Sequence, residues 1–269
     1  MQDRSTLSLK PKPAAAAAGS GKARRKPFRI AGLPAVAALF DRDPDRAEKL
    51  YFDERLKEAA GPFCARLAAG RKPYRLVPAA ELEKIAGSAM HGGIVAEAAP
   101  RPVLPFSLDL ARGWAATGLP LLILDGVSNP HNLGAILRTA AFFGIDRVLI
   151  SDHPSQALPS EAAYRVAEGG FEHVNLHRTA DFPATLKALG GLYRTIGTAL
   201  GPFPSLSDLT RRAEGKPVAV VMGNEEHGMP PASQAACTEL VTIAGSGRVQ
   251  SLNVSATTAI LAFLMTRGA

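Results

Sequence analysis

From Leu119 to the C-terminus, short apolar runs alternate with helix-length segments, and this alternation leaves few folds open. Strands are predicted at 120–125, 146–150, 173–176, 192–198, 217–222 and 240–243. Helices are predicted at 132–143, 160–167, 181–189, 230–236 and 254–266. Strand–helix repetition of this kind builds a mainly parallel sheet covered on both faces. Polar, glycine-containing turns at strand ends are where such α/β sheets place ligand sites. Three of them stand out: the turn after Leu121–Asp125, the turn after Val218–Val221, and the stretch from Val241 into the last helix.

Residues 28–100 form a separate, smaller α/β pattern. Helices are predicted at Leu33–Phe40, Glu54–Ala69 and Pro78–Ala86. Strands are predicted at Lys49–Phe52, Tyr74–Val77 and Ile94–Ala98. Pro62 interrupts the second helix. Residues 101–118 read as a linker with one short helix, and residues 119–269 as the larger domain. Residues 1–27 are mostly Ala, Pro, Lys and Gly, and are expected to be a disordered basic tail.

Charge follows that division. Residues 1–29 carry eight basic side chains and one acid, which accounts for the whole net charge of +7. The rest of the chain is neutral. A basic arm on a neutral body suits loose attraction to nucleic acid, and equally a solvated tail. The two cysteines, Cys64 and Cys237, are far apart, so neither a disulfide framework nor a zinc site is expected. No metal is expected. No apolar run approaches the roughly 18 to 20 residues of a membrane span. A cytoplasmic protein is the default expectation, with an organelle transit peptide as the lesser alternative.

Read locally, the three turns do not name a reaction. Asn129-Pro130 favours a turn and Asn132 suits a helix cap. Arg138 is compatible with a solvated helix arginine. Phe142 beside it reads as exposed, which suggests that this outer face is covered, with a second subunit as the expected cover. Glu225 and Glu226 suit an ordinary helix N-terminus. Ser251, Asn253 and Ser255 each suit a cap. No GxGxxG, P-loop or GxSxG motif is present, nor a metal-spaced His/Cys set.

Taken together and in order, the three segments resemble the SPOUT superfamily of RNA methyltransferases, in its SpoU/TrmH ribose 2′-O branch. The first motif, NxGAIxRTA, is matched by Asn132, Gly134-Ala135-Ile136 and Arg138-Thr139-Ala140. The second, GxExxGM, is matched by Gly223, Glu225 and Gly228-Met229. The third is matched by Ile243, Gly247, Val249 and Ser251 to Ser255, with Ala244-Gly245 where the family has Pro-Met. Residues 28–100 resemble the ribosomal-protein-like substrate-binding domain of this branch. There His91-Gly92-Gly93 replaces the usual HQG.

The resemblance implies an α/β fold with a deep C-terminal trefoil knot, and a homodimer through the knotted domains. It implies S-adenosylmethionine held by backbone at Gly223, Ile243 and Leu252, with Thr198 as a further contributor. Asn132, Arg138, Glu225, Ser251 and Asn253 occupy the positions of the catalytic cluster. The substrate implied is structured RNA, ribosomal RNA ahead of transfer RNA. The alternative is a non-catalytic RNA-binding or ribosome-assembly protein that keeps the fold. Ala244-Gly245 is expected to loosen the backbone around the cofactor.

Overall fold

The computed structural model describes residues 27–206 and 215–266. The predicted basic tail falls outside the described residues, apart from its last position.

The smaller sheet is built from β1 (Arg29–Ala31), β2 (Ala47–Phe52), β3 (Tyr74–Leu76) and β4 (Ile94–Ala98). Its order is β1-β4-β2-β3, with β4 antiparallel to both neighbours and β2 parallel to β3. Helices α1 (Leu33–Arg42), α2 (Lys57–Ala69) and α3 (Ala79–Ala86) pack on it. The first turn of the predicted 54–69 helix is a 3-10 turn, capped by the Asp53 side chain. Pro62 stays inside α2. It is exposed there, so water can satisfy the carbonyl that proline leaves unpaired.

The larger sheet contains β5 (Leu104–Pro105), β6 (Leu121–Asp125), β7 (Arg147–Ile150), β8 (Asn175–Arg178), β9 (Arg194–Thr198), β10 (Val218–Gly223) and β11 (Glu239–Val241). Its order among the described residues is β11-β9-β10-β6-β7-β8-β5, and every pair is parallel. Successive residues of β6 feed two cores. Leu122 and Leu124 join one beneath α5 (Pro130–Phe142), α6 (Glu161–Ala167) and α10 (Val254–Thr266). Leu121 and Ile123 join the other, beneath α4 (Leu108–Ala116), α8 (Phe182–Leu189) and α9 (Pro231–Ala236). Burial on both faces explains why β6 is apolar without alternation.

Three short elements depart from the sequence reading. β1 and β5 are very short and gain their order by pairing with β4 and β8. The third is α7 (Gly170–His173), which takes residues expected to begin β8 and moves that strand two places later. No helix among the described residues is long and apolar enough to cross a membrane.

The two sheets are joined through α6 and α7. The Phe28 ring meets Tyr164 edge-on at 5.2 Å, and the Arg29 N–H donates to Glu161 at 3.0 Å. Arg46 pairs with the buried Glu172. The Arg101 N–H donates to the Tyr164 hydroxyl at 2.7 Å, and its guanidinium to the Glu172 carbonyl at 2.8 Å.

On α5, Gly134 allows a close approach to α6. A Cβ there would lie 2.4 Å from the Ala163 carbonyl oxygen on α6. Backbone cannot rotate away from that clash, and overpacking costs about 1–3 kcal/mol. Gly134→Ala is therefore expected to lower the melting temperature by several degrees. An unchanged thermal melt would mean that α6 yields freely.

Candidate active site

The strand order places β6 between β7 and β10, and the chain leaves β6 toward β7 but later returns on the far side at β9. That reversal makes β6/β10 the switch point, where the carboxyl ends of parallel strands open a crevice. The three motif segments meet there.

Asn129 starts α5: its side chain accepts from the His131 N–H at 2.8 Å, and Pro130 follows at the first helical position. Asn132, expected as a cap, lies inside the helix and is only 8% exposed. Its amide is thereby free to reach across the crevice. The Asn132 Nδ2 donates to Glu225 Oε1 at 2.8 Å. Glu225 also accepts from the Ser128 N–H at 3.0 Å, the Ser128 hydroxyl at 3.1 Å and the Asn129 N–H at 3.2 Å. The Asn253 Nδ2 donates to Asn132 Oδ1 at 3.1 Å. Asn253 caps α10 at the same time, its Oδ1 accepting from the Ser255 N–H at 2.8 Å and the Ser255 hydroxyl at 2.6 Å. Because a carboxylate only accepts, Glu225 fixes which way the Asn132 amide faces, and Asn132 in turn fixes Asn253.

The loop carrying Glu225 is itself tightly folded. Asn224 and Gly228 exchange two backbone bonds of 3.0 Å. The Asn224 side chain accepts from the Glu226 and His227 N–H groups and donates to the Gly126 carbonyl at 2.8 Å. A Cβ on Gly223 would lie 2.3 Å from the Met229 nitrogen, so only glycine fits beneath this loop.

The remaining candidates are spread around the crevice. Thr198 ends β9, and its hydroxyl donates to the Val221 carbonyl at 3.2 Å. Thr242 pairs with the segment of Pro204 to Leu206, which places the half-buried Ile243 just beyond. Ser251 and Leu252 are exposed ahead of α10. Arg138 is not in the hydrogen-bonded network. It lies six residues after Asn132 on α5, about 9 Å further along the helix and on another side. There its guanidinium pairs with Glu168 at 2.9 Å.

Sequence reasoning missed Ser128, Asn129 and Asn224 as parts of this site. The Asn-Pro step was a readable signal for the Asn129 cap. Nothing local marked Ser128 or Asn224. Asp125, at the end of β6, was also missed. Its carboxyl is buried, and its Oδ2 has no hydrogen-bond partner among the described residues.

Comparison with known proteins decides the family. Residues 120–263 match the SpoU rRNA Methylase family, and residues 29–104 match the RNA 2′-O ribose methyltransferase substrate-binding family. The chain belongs to the SpoU rRNA methylase family. SpoU relatives include the 23S rRNA (guanosine-2′-O-)-methyltransferase RlmB of Acinetobacter baylyi, 34% identical over 86% of this chain and 93% of the relative. The protein of that name from Escherichia coli K12 is 34% identical over 87% of this chain and 96% of its own length. Among solved structures, a TrmH-family protein from Porphyromonas gingivalis aligns with a TM-score of 0.64 at 25% identity, covering 91% of this chain and 92% of that one. The AdoMet-bound rRNA methyltransferase of Sinorhizobium meliloti shares the fold, with a TM-score of 0.68 at 22% identity over 89% of this chain and 87% of that one.

The electrostatics of the SpoU site centre on Glu225. Burial pushes its pKa up, but hydrogen bonds from Asn132 and from the Ser128 and Asn129 backbone outweigh this, and the net direction is below the ordinary value. A depressed folded value means that its stabilising contribution is complete above the unfolded carboxyl pKa, about 4.3. That contribution is lost as pH falls through the folded value. The melting-temperature advantage of wild type over Glu225→Gln is therefore expected to be full at pH 6 and to shrink below about pH 4. Parallel pH curves for the two proteins would show that the carboxylate does not hold the loop.

Proposed function

We propose that this chain transfers a methyl group from S-adenosylmethionine to a ribose 2′-hydroxyl of structured RNA. The first choice of substrate is a guanosine of 23S ribosomal RNA, ahead of transfer RNA. The observation that carries this reading is the Asn253–Asn132–Glu225 chain of hydrogen bonds, which ties all three motif segments together at the switch point. RlmB relatives matched over more than nine-tenths of their own length support the substrate.

The crevice fits the cofactor. Thr198, Gly223 and Val241 end three adjacent parallel strands, with Ile243 just beyond. The unpartnered Asp125 oxygen lies at the end of the neighbouring strand, which suits a polar ligand. Backbone at Gly223, Ile243 and Leu252 would hold the adenosine end. Bound S-adenosylmethionine supplies an already activated methyl group. Alignment of the hydroxyl with that group then supplies much of the acceleration.

In this reading Glu225 is a permanent acceptor that orients Asn132 and, through it, Asn253. Exposed Ser251 directs the 2′-hydroxyl and relays its proton to bulk water as the new oxygen–methyl bond forms. Arg138 is not the base, because a guanidinium offers donors and no acceptor. It grips a phosphate beside the target ribose and stabilises negative charge developing on the oxygen.

The reading extends to assembly. Phe142 is 83% exposed, stacks edge-on against Phe143, and continues to Phe263 on α10. This apolar patch supports a homodimer through the larger domain. Arg138 lies one turn before Phe142, so a second copy on the patch brings Arg138 to the rim of the interface. A trefoil knot is supported by the path of the last segment. It leaves β11 at one edge, runs beside Pro204–Leu206, and reaches α10 against α5 beyond β10.

Residues 28–100 would take the RNA and residues 119–269 would methylate it, with 101–118 between them. An open cleft of about 480 Å³ at the ends of β2 and β3 is lined by Asp53, Arg55, Leu76 and Pro78. It has room for an unstacked base, as RNA readers require. The basic tail would add salt-sensitive affinity. The cytoplasm is the proposed location.

The test uses purified protein, methyl-labelled S-adenosylmethionine and RNA from a strain lacking this gene, separated by size class. Label is expected in 2′-O-methylguanosine of the large ribosomal RNA. Label confined to transfer RNA would move the substrate. No label, with cofactor binding undetectable at millimolar concentration, would favour the non-catalytic RNA-binding reading.

A further inference from the structure

The turn between α6 and α7 has an unusual backbone. Glu168 is left-handed, with φ 45° and ψ 45°, and Gly169 follows at φ 97°. A Cβ on Gly169 would lie 2.8 Å from the Ala38 Cβ and 3.2 Å from the Pro34 carbonyl oxygen, both on α1. A Cβ on Gly170 would lie 2.8 Å from the backbone nitrogen of Arg138. The turn is thus wedged between the first helix of the small domain and the α5 backbone at Arg138 itself. From this wedge the Glu168 carboxylate meets Arg138 Nη2 at 2.9 Å.

Stability does not account for glutamate at this position. Glycine adopts this φ without strain. The ion pair, with side chains 57% and 44% exposed, lies where such pairs add little. A non-glycine residue kept left-handed by its surroundings points to a functional constraint.

We propose that Glu168 is a positioning residue for Arg138. The wedged turn fixes the carboxylate, the carboxylate engages Nη2, and the Nε and Nη1 donors are left aimed at an RNA phosphate. Because α1 forms one wall of the wedge, seating of the small domain helps set the direction of Arg138. The proposal rests on the reading of Arg138 given above.

The test compares Glu168→Gln, Glu168→Gly and Arg138→Ala, with methyl-labelled S-adenosylmethionine and 23S RNA from the deletion strain. Both Glu168 variants are expected to lose about tenfold or more in kcat, as for a misplaced substrate-positioning group. KM for S-adenosylmethionine should stay unchanged. Glu168→Gly should melt no lower than wild type, because it relieves the strained φ. Adding Glu168→Gln to Arg138→Lys should cost far less than it costs alone. Wild-type kcat in both Glu168 variants, with Arg138→Ala inactive, would overturn the proposal. An equal loss in the Arg138→Lys background would do the same. Full activity of Arg138→Ala would instead remove the reading of Arg138 on which it rests.

Discussion

Arg138→Ala is expected to cut methyl transfer by about 10²–10³-fold, the usual cost of removing a donor aimed at developing negative charge. The fold should be nearly untouched. The side chain is more than half exposed, and its pairing with Glu168 is of the surface kind, contributing about 0.2–1 kcal/mol. Cofactor affinity should hold within about twofold by calorimetry, because Arg138 is separated from the Asn132 network by about 9 Å of helix. Arg138→Lys should fall between the two, since it keeps the charge but loses the planar fork that grips phosphate. A variant that folds normally but no longer binds S-adenosylmethionine would give Arg138 a different role.

Gly223→Ala is expected to damage both stability and turnover. The added methyl would meet the Met229 nitrogen at 2.3 Å and the Gly228 carbonyl carbon at 2.4 Å. Both are backbone atoms, so the whole Asn224–Gly228 turn must lift. Glu225 rides on that turn, and a displacement of about 1 Å at a positioning group can cost 10²-fold in rate. A loss of about 1–3 kcal/mol in stability should accompany it. Gly228→Ala makes the useful contrast. That position has open space but a φ of +68°, so strain alone acts, at about 1–2 kcal/mol. Melting curves and single-turnover transfer on both variants separate the two causes. Normal transfer by Gly223→Ala would mean that the close backbone approach is dispensable.

Periodicity revealed the large elements. β6 and β10 are strongly apolar runs, and α5 and α10 carry caps or apolar faces that can be read locally. β1, β5 and α7 were not legible, because each has fewer residues than any periodicity needs and is held by its neighbours. β8 slipped for the same reason, once α7 had claimed His173. At the site, Asn132 read locally as a cap, yet Asn129 holds that position and Asn132 turns inward to Glu225. Only the order of the three motifs suggested that these residues belong together. The partner of Arg138 was hidden more deeply. It depends on one left-handed residue, Glu168, whose conformation is imposed by packing rather than by sequence.

The hydrogen bond from Asn253 to Asn132 spans 121 residues of chain and has a consequence for synthesis. The α5 helix and its Asn129 cap can form as soon as the middle of the polypeptide has emerged. The network cannot, because its last member caps the final described helix. Long-range pairings of this kind close late and slowly. A growing chain can therefore order its small domain well before the Asn253–Asn132–Glu225 network closes, and in the proposed reading methyl transfer must wait until Asn253 has emerged.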